Sequence, residues 1–468
     1  MFAFRAFALA TLTLLAAPAV AQDMTPAEIA KVDTIVGETL AKTGVPSASI
    51  AIVRGGKTVF AKAYGKQSET GTVARTDAPY QIASISKQFT AAALLLLEDE
   101  GKLSLDDTVS KWIPGITGGD RITIRQLLSH TSGLQDYWPQ DYSFALMAKP
   151  TTPQGIVDRW AKKPLDFEPG TQWQYSNTGY VVAGLIVEKA AGKSLLAYLQ
   201  DKIFKPLAIK AIDQDKAIGP AYPQGYGRFA LGPVRPETPS AAGWLYAAGE
   251  LSMSAADLAK WDIARIDRTV LTPEDWKLQE SSIKLTDGKD TGYGLGVFAG
   301  MQDGRWRVEH SGEAVGFISE NVVYPNDKAA FVVLTNSWSA GAASQIAGKL
   351  VATFLPAPGN TLTVADALAM INARKVFDQL RGGTLDRTML TENANYYFTP
   401  TAIGDYRASL APLGEPQSFA QSGRTNLRGG YELRSFAIKY ADRTLRLSTF
   451  FDPANGKIEQ FLVTPSGQ

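Results

Sequence analysis

The sequence predicts an α/β fold of the α+β kind: an antiparallel sheet flanked by helices, an all-helical subdomain inserted into it, and a small α+β domain at the C-terminal end. Strand-like alternation appears in "SASIAIVRGGKTVFAKAYG" and returns far downstream in "GYGLGVFAG" and "WRVEHSGEAVGFISENVVYPNDKAAFVVLTNS". Between them, residues 104–265 carry mostly helix and turn signals. Strands at both ends of a helical middle imply one sheet completed by both chain ends. The third observation is the break at Pro356, Pro358 and Gly359, after which a helical stretch (361–410) precedes a second strand-rich stretch (416–464).

The first residues, "MFAFRAFALATLTLLAAPAVAQ", hold one charge at Arg5, an apolar run, and the small-x-small pattern Ala19-Val20-Ala21. This reads as a cleaved export signal over residues 1–21, too short for a comfortable membrane span. The expected location is periplasmic or secreted, with no membrane span after signal removal. The catalytic domain is then expected over 22–355 and the C-terminal domain over 361–468. "DMTPAEIAKVDTIVGETLAKTG" has helical spacing and ends at Gly44, and Gly55-Gly56 turns one strand into the next. "YQIASISKQFTAAALLLLEDEGKL" opens a helix that is apolar nearly all round from Ala91 to Leu97, the mark of a helix at a domain centre. Asn455-Gly456 supplies a hairpin turn in the last strands.

Composition excludes several function classes. Lys plus Arg total 47 against 46 Asp plus Glu, so there is no basic field for nucleic acid. Without cysteine there is no disulfide, thiolate nucleophile or Cys-based zinc site. The two histidines, His130 and His310, are not in an H-E-x-x-H pattern, and no metal or cofactor is expected.

The helix beginning near residue 84 carries chemistry. A serine hydroxyl is a poor nucleophile until a base takes its proton. Lys87, three residues after Ser84, lies over it on one helical face. A lysine amine is that base only when neutral. Burial beneath an apolar helix supplies the fall of about three pKa units required, roughly 4 kcal/mol. S-x-x-K alone is a weak pattern, since Ser281 to Lys284 repeats it before a polar Gly-rich loop. Two further motifs strengthen it. Tyr175-Ser176-Asn177 places a phenol and an amide on one side of an extended segment. The phenol, pushed toward phenolate by a neighbouring ammonium, shuttles the proton, and the amide donates to a substrate carbonyl. His310-Ser311-Gly312 lies in a predicted strand, where glycine lets a ligand approach the backbone. Tyr324-Pro325-Asn326 and Lys42-Thr43-Gly44 mimic these motifs but fall at a turn and ahead of the serine.

Ser84-x-x-Lys87, Tyr175-x-Asn177 and His310-Ser311-Gly312, in that order, resemble the serine β-lactamases and penicillin-binding D,D-peptidases, closest to their class C-like branch. "ITIRQLLSHTSGL", "EPGTQWQYSNTGYVVAGLIVE" and "AAGELSMSAADLAKW" are similar too, and the resemblance spans about residues 27–355. It implies a β-lactamase/transpeptidase-like fold, Ser84 as acylated nucleophile, Lys87 as proton acceptor and Tyr175 as acid/base. Asn177 would hold substrate and Lys87. The oxyanion hole would be the backbone N–H groups of Ser84 and Glu313. One departure matters: class C β-lactamases usually carry lysine where this chain has His310. A neutral imidazole holds a substrate carboxylate less firmly, which places β-lactam hydrolysis behind other activities.

The expected function is an exported serine hydrolase acting on amide or ester bonds of a small-molecule or peptidyl substrate. D,D-carboxypeptidase, D-amino-acid amidase and esterase activities are close rivals. A β-lactamase of weak or broad activity and a non-turnover sensor or scaffold that binds β-lactams or peptidoglycan are the alternatives. His130 is read as a turn residue satisfied by local backbone. Trp138, Tyr142 and Trp244 are candidates to line a cleft. The C-terminal domain resembles NTF2-like cone-shaped domains, with a cap over the site or a dimer contact as its expected role and the two "RGG" runs, at Arg381 and Arg428, as exposed turns.

Overall fold

The computed structural model describes residues 23–70, 73–140, 142–230, 232–338, 341–355, 364–422 and 425–465. The expected signal segment and the Pro356–Gly359 break lie outside the described residues. The chain divides into two compact units, Met1–Pro358 and Gly359–Gln468.

The first unit begins with α1 (Pro26–Thr43). Thr25 and Glu28 form a reciprocal cap: Thr25 Oγ1 accepts the Glu28 N–H at 3.2 Å and the Glu28 carboxylate accepts the Thr25 N–H at 2.8 Å. Gly44, at φ 73°, closes the helix in the left-handed conformation that residues with a Cβ resist. Strands β1 (Ser47–Arg54) and β2 (Lys57–Gly65) follow as a hairpin through Gly55 and Gly56, both at positive φ. The helical middle then supplies α2 (Lys87–Asp99), α3 (Asn177–Ala191) and α4 (Ala255–Asp267). The chain returns to the sheet as β3 (Phe298–Gln302), β4 (Arg305–Ala314), β5 (Phe317–Tyr324) and β6 (Ala329–Thr335), and α5 (Ala342–Phe354) ends the unit.

The sheet order is β2-β1-β6-β5-β4-β3, antiparallel throughout. β1 pairs with β6, Ile50 opposite Val333, so the two ends of the unit meet inside the sheet as expected. β1 is buried on both faces. Ala51 and Val53 join the core around α2, while Ala48, Ile50 and Ile52 join the core under α1 and α5. "GYGLGVFAG" becomes a strand only from Phe298, because Gly292 and Gly296 hold positive φ and keep the preceding residues in a loop.

α2 is buried from Lys87 to Leu95 and again at Leu97. Its buried polar groups are all tied down. Gln88 Oε1 accepts from Trp261 Nε1 at 2.7 Å and from Arg265 Nη2 at 2.9 Å, and its amide donates to Asn321 Oδ1 at 3.1 Å. Thr90 Oγ1 donates to the Ala247 carbonyl at 2.8 Å. Each such bond avoids the penalty of an unsatisfied buried group, about 1–3 kcal/mol. Together they lock the start of α2 to α4 and β5, and that start is where Ser84 and Lys87 sit.

The second unit has helices α6 (Val364–Gly382), α7 (Glu392–Tyr397) and α8 (Pro400–Leu410). Its strands are β7 (Ser418–Gln421), β8 (Asn426–Arg428), β9 (Tyr431–Lys439), β10 (Thr444–Phe451) and β11 (Ile458–Pro465). They form an antiparallel sheet of order β7-β9-β10-β11, with β8 pairing β9. Phe377, Phe436, Leu447 and Phe461 belong to its core. Arg381 is not an exposed turn residue: it donates to the Gly414 carbonyl at 2.5 Å and pairs with Glu415, its side chain only 17% exposed. Gly429 and Gly430, both at positive φ, do form a turn between β8 and β9.

Candidate active site

Ser84 lies in a 3₁₀ turn, Ala83–Ser86, that leads directly into α2. The turn is entered through Ala83 at φ 48°, a conformation unfavourable for any residue with a Cβ. β4 and β5 together hold the strained entry, β4 by leaving room and β5 by a hydrogen bond. A Cβ on Gly312 would lie 2.0 Å from the Ile82 carbonyl oxygen and 2.3 Å from Ser319 Oγ, and Ser319 Oγ donates to that same carbonyl at 2.9 Å. Gly312 therefore makes room for the backbone of Ile82, two residues before the serine. This differs from the expected approach of a ligand to that glycine.

Lys87 is fully buried. Its Nζ lies 2.9 Å from Ser84 Oγ, 2.8 Å from Asn177 Oδ1 and 2.7 Å from the Ala248 carbonyl. Burial lowers its pKa from 10.5 to about 7, against the attraction of the Asp136 carboxylate. An ammonium donates to all three neighbours. A neutral amine donates to the two carbonyl oxygens and turns its lone pair toward the Ser84 hydroxyl along the same line. At pH 7 the site is poised between these states.

Tyr175 precedes α3, whose N-cap is Ser176: Ser176 Oγ accepts the Gly179 N–H at 3.2 Å. The extended backbone ends at Ser176 and Asn177 is already helical, so the two side chains are set by a strand-to-helix junction, not one extended run. The expectation of a near-phenolate Tyr175 is corrected. Burial pushes its pKa up, an interaction with the Ser84 hydroxyl works the other way, and Lys87 is too near neutral to offer a full charge. Tyr175 is a neutral phenol.

His130 supports Tyr175 from behind. The rings lie 4.1 Å apart, with Tyr180 and Tyr293 also within 5.2 Å of the imidazole. Its Nδ1 accepts the Ser176 N–H at 3.1 Å, so its partner is a distant segment and not local backbone. Residue 130 sits at φ 59° and is fully buried. His310 lies on β4. Its Nδ1 faces the Ser311 carbonyl at 2.5 Å and its Nε2 the Tyr293 hydroxyl at 2.9 Å. The carbonyl accepts only, which puts the ring proton on Nδ1 and leaves Nε2 to accept from tyrosine. Burial and Lys87 lower its pKa to about 3, so the ring is neutral.

Sequence reasoning missed Asp136. Its carboxylate accepts the Asn177 and Trp138 N–H groups at 3.1 Å each and the Asn177 side-chain amide at 3.2 Å. It thereby fixes the amide so that Oδ1 faces Lys87. Burial holds its pKa above the usual value, opposed by those N–H donors and by Lys87. No pattern flags an aspartate in "GLQDYW"; the signal is spatial. Tyr293 and the Ala248 carbonyl were equally invisible.

Ser84, Asp136, Tyr175, Asn177, His310, Ser311 and Glu313 all border one cleft of about 490 Å³. β3 pairs with β4 only as far as Glu309, so Ser311 and Glu313 lie on an edge that β3 leaves open to the cleft. Trp138 also borders it. Tyr142 is 64% exposed, and Trp244 is buried, packing on Phe144 and Trp160. The second S-x-x-K is dismantled: Ser281 Oγ donates to the Lys277 carbonyl at 2.6 Å, and the backbone of Lys284 pairs antiparallel with that of Asp290.

A family model described as Beta-lactamase matches residues 32–353. Penicillin-binding protein 4* of Bacillus subtilis (strain 168) is 28% identical over 316 residues, covering 64% of this chain and 70% of that protein. The chain spans between 62% and 70% of the length of the first curated relatives it matches. The D-amino acid amidase from Ochrobactrum anthropi SV3 is similar in structure at a TM-score of 0.60 and 25% identity, over 72% of this chain and 99% of that one. The octameric penicillin-binding protein homologue from Pyrococcus abyssi shares the fold at a TM-score of 0.62 and 22% identity, over 94% of this chain and 97% of that one.

Proposed function

The chain belongs to the Beta-lactamase family and is a serine hydrolase of it, and from that premise we propose that it works through an acyl-enzyme on Ser84, cleaving an amide or ester of a D-amino-acid-type substrate. One observation carries the reading: the Lys87 amine, buried and near neutral, lies 2.9 Å from Ser84 Oγ.

The steps follow from the side chains. Lys87 takes the Ser84 proton as Oγ bonds to the substrate carbonyl carbon. The oxyanion is met by the Ser84 and Glu313 backbone N–H groups, each such donor typically contributing about 10²–10³ in rate. Tyr175, a neutral phenol beside Ser84, relays the proton to the leaving nitrogen or oxygen as the carbonyl–leaving-group bond breaks. Water then attacks the ester and the same groups run in reverse, restoring Ser84. Asn177 holds Lys87 on one side and the substrate carbonyl on the other. Likeness to a D-amino acid amidase at 25% identity supports the amide class. Export to the periplasm or medium belongs to the same proposal, supported by the leader-like first residues. Among the described residues no helix is long and apolar enough to cross a membrane.

The test is turnover of D-phenylalanine amide and a p-nitrophenyl acyl ester by wild type and Ser84→Ala. Ser84-dependent release of ammonia and nitrophenol is the expected result. Equal rates in both proteins would refute the assignment. A stable penicillin adduct on Ser84 without amide or ester turnover would favour a sensor instead.

A further inference from the structure

Tyr175 is gripped on both sides of its own backbone by a single residue. His130 follows the short helix Ile124–Leu128 and is fully buried at φ 59°. Its carbonyl accepts the Gln174 N–H at 3.0 Å, and its Nδ1 accepts the Ser176 N–H at 3.1 Å. Residues 174 and 176 are thus both bonded to residue 130, with Tyr175 between them. The imidazole also packs on the phenol, ring centroids 4.1 Å apart and planes inclined by 35°. Lys87 Nζ lies 4.9 Å from the centroid of the same ring.

The clamp is itself held in place. The Thr131 N–H donates to the Gln126 carbonyl at 3.0 Å, and the Tyr180 hydroxyl donates to the Leu128 carbonyl at 2.6 Å, tying the turn that carries His130 to α3. Because Nδ1 accepts, the ring proton sits on Nε2. Among the described residues that N–H has no hydrogen-bond partner, and the rings of Tyr180, Tyr293 and Trp173 pack around the imidazole. Burial lowers the His130 pKa well below its ordinary value, and Lys87 and His310 add to the effect, so the ring is neutral and Nδ1 stays an acceptor. A left-handed backbone and a buried N–H without an acceptor are both unfavourable, and such features gather where geometry serves a site.

We propose that His130 is a positioning residue for Tyr175, fixing the backbone on either side of it and the ring itself so that the phenol meets the leaving group. This rests on the reading of Ser84 as nucleophile and Tyr175 as proton carrier. In that step the Tyr175 O–H bond breaks, the proton bonds to the leaving nitrogen or oxygen, and the carbonyl–leaving-group bond breaks. The proton that Lys87 took from Ser84 then passes to the phenolate, which leaves both side chains neutral. A nitrophenolate departs as a stable anion and needs no proton, whereas an amine or an alkoxide does. Loss of the clamp therefore slows cleavage of poor leaving groups selectively.

The experiment uses the full chain and one acyl group, D-phenylalanine, as its amide, methyl ester and p-nitrophenyl ester. The quantity compared is kcat/KM, which ends at departure of the leaving group, corrected for the rate with Ser84→Ala. Glycine and asparagine both tolerate positive φ. His130→Gly removes acceptor and ring, while His130→Asn offers an amide oxygen to the Ser176 N–H without the ring. Expected for His130→Gly is a loss of about a hundredfold on the amide and methyl ester, but within about threefold on the p-nitrophenyl ester. His130→Asn should show the same selectivity at about tenfold, and Tyr175→Phe sets its ceiling. Variants are compared once each is shown to melt cooperatively. Equal losses on all three substrates, no loss on any, or no cooperative melt in either His130 variant overturns the inference and leaves Ser84 and Tyr175 in place. A wild type that cleaves only the p-nitrophenyl ester removes Tyr175 as proton carrier and the inference with it. Absence of Ser84-dependent turnover of all three removes the proposed function itself.

Discussion

At the scale of single residues, acylation of Ser84 turns on the protonation of Lys87. Its pKa of about 7 predicts that acylation rises with pH through a limb near 7 as the amine loses its proton, measured by stopped-flow ester cleavage. Lys87→Met should remove the limb and lower the acylation rate by about 10²–10⁴. The same shift has a stability consequence. Between pH 7 and 10.5 the unfolded chain holds the Lys87 proton and the folded chain does not, so folding stability rises with pH across that window. Below 7 the folded state carries the full penalty, on the order of 5 kcal/mol. Chemical denaturation of wild type should therefore gain on Lys87→Met from pH 7 to 10 and show no such gain below pH 6. A parallel pH dependence in the two proteins would show that Lys87 is not the buried base. Ser84 and Lys87 were legible in the sequence because their relation is local, three residues on one helical face. Asp136 was not, because it meets Asn177 across 41 residues and nothing in its own neighbourhood marks it.

At the scale of elements, the site is a junction of three: the turn before α2, the start of α3 and the edge of β4. β4 was readable as a strand from alternation, yet the role of its glycine was not. Gly312 faces the backbone of Ile82 rather than the cleft, a fact of packing that spacing cannot carry. Gly312→Ala should displace the Ile82–Ser84 segment, lowering both Tm and kcat, with Ser319 unable to keep its bond to Ile82. A variant with wild-type turnover would contradict the claim that this glycine seats the serine. α2 supplies the apolar cover. Leu95→Ala, deep in that helix, should cost about 2–5 kcal/mol of stability by leaving a cavity. The phenolate expected of Tyr175 failed for a related reason: sequence places a lysine near a tyrosine but does not say that burial weakens the ammonium and raises the pKa of the phenol itself.

At the scale of the molecule, both chain ends of the first unit close one sheet, which is why alternation at two distant places predicted the architecture. The second unit was legible as helices followed by strands, and it has a hydrophobic core of its own. A chain ending at Leu355 keeps the whole cleft and both cores of the first unit. It should retain Ser84-dependent ester turnover within about tenfold of the full chain, assayed after confirming a cooperative melt. What composition cannot convey is the distribution of charge: a net of +1 over the chain conceals a cleft bordered by two acids. The central claim is that Ser84 becomes acylated with Lys87 as its base. The most direct measurement is acid-quenched turnover of a p-nitrophenyl ester at pH 6 and pH 8, with intact mass and peptide mapping. One acyl increment is expected on the peptide containing Ser84, formed faster at pH 8 and absent from Ser84→Ala. An increment that persists in Ser84→Ala, or that maps to another residue, would contradict it.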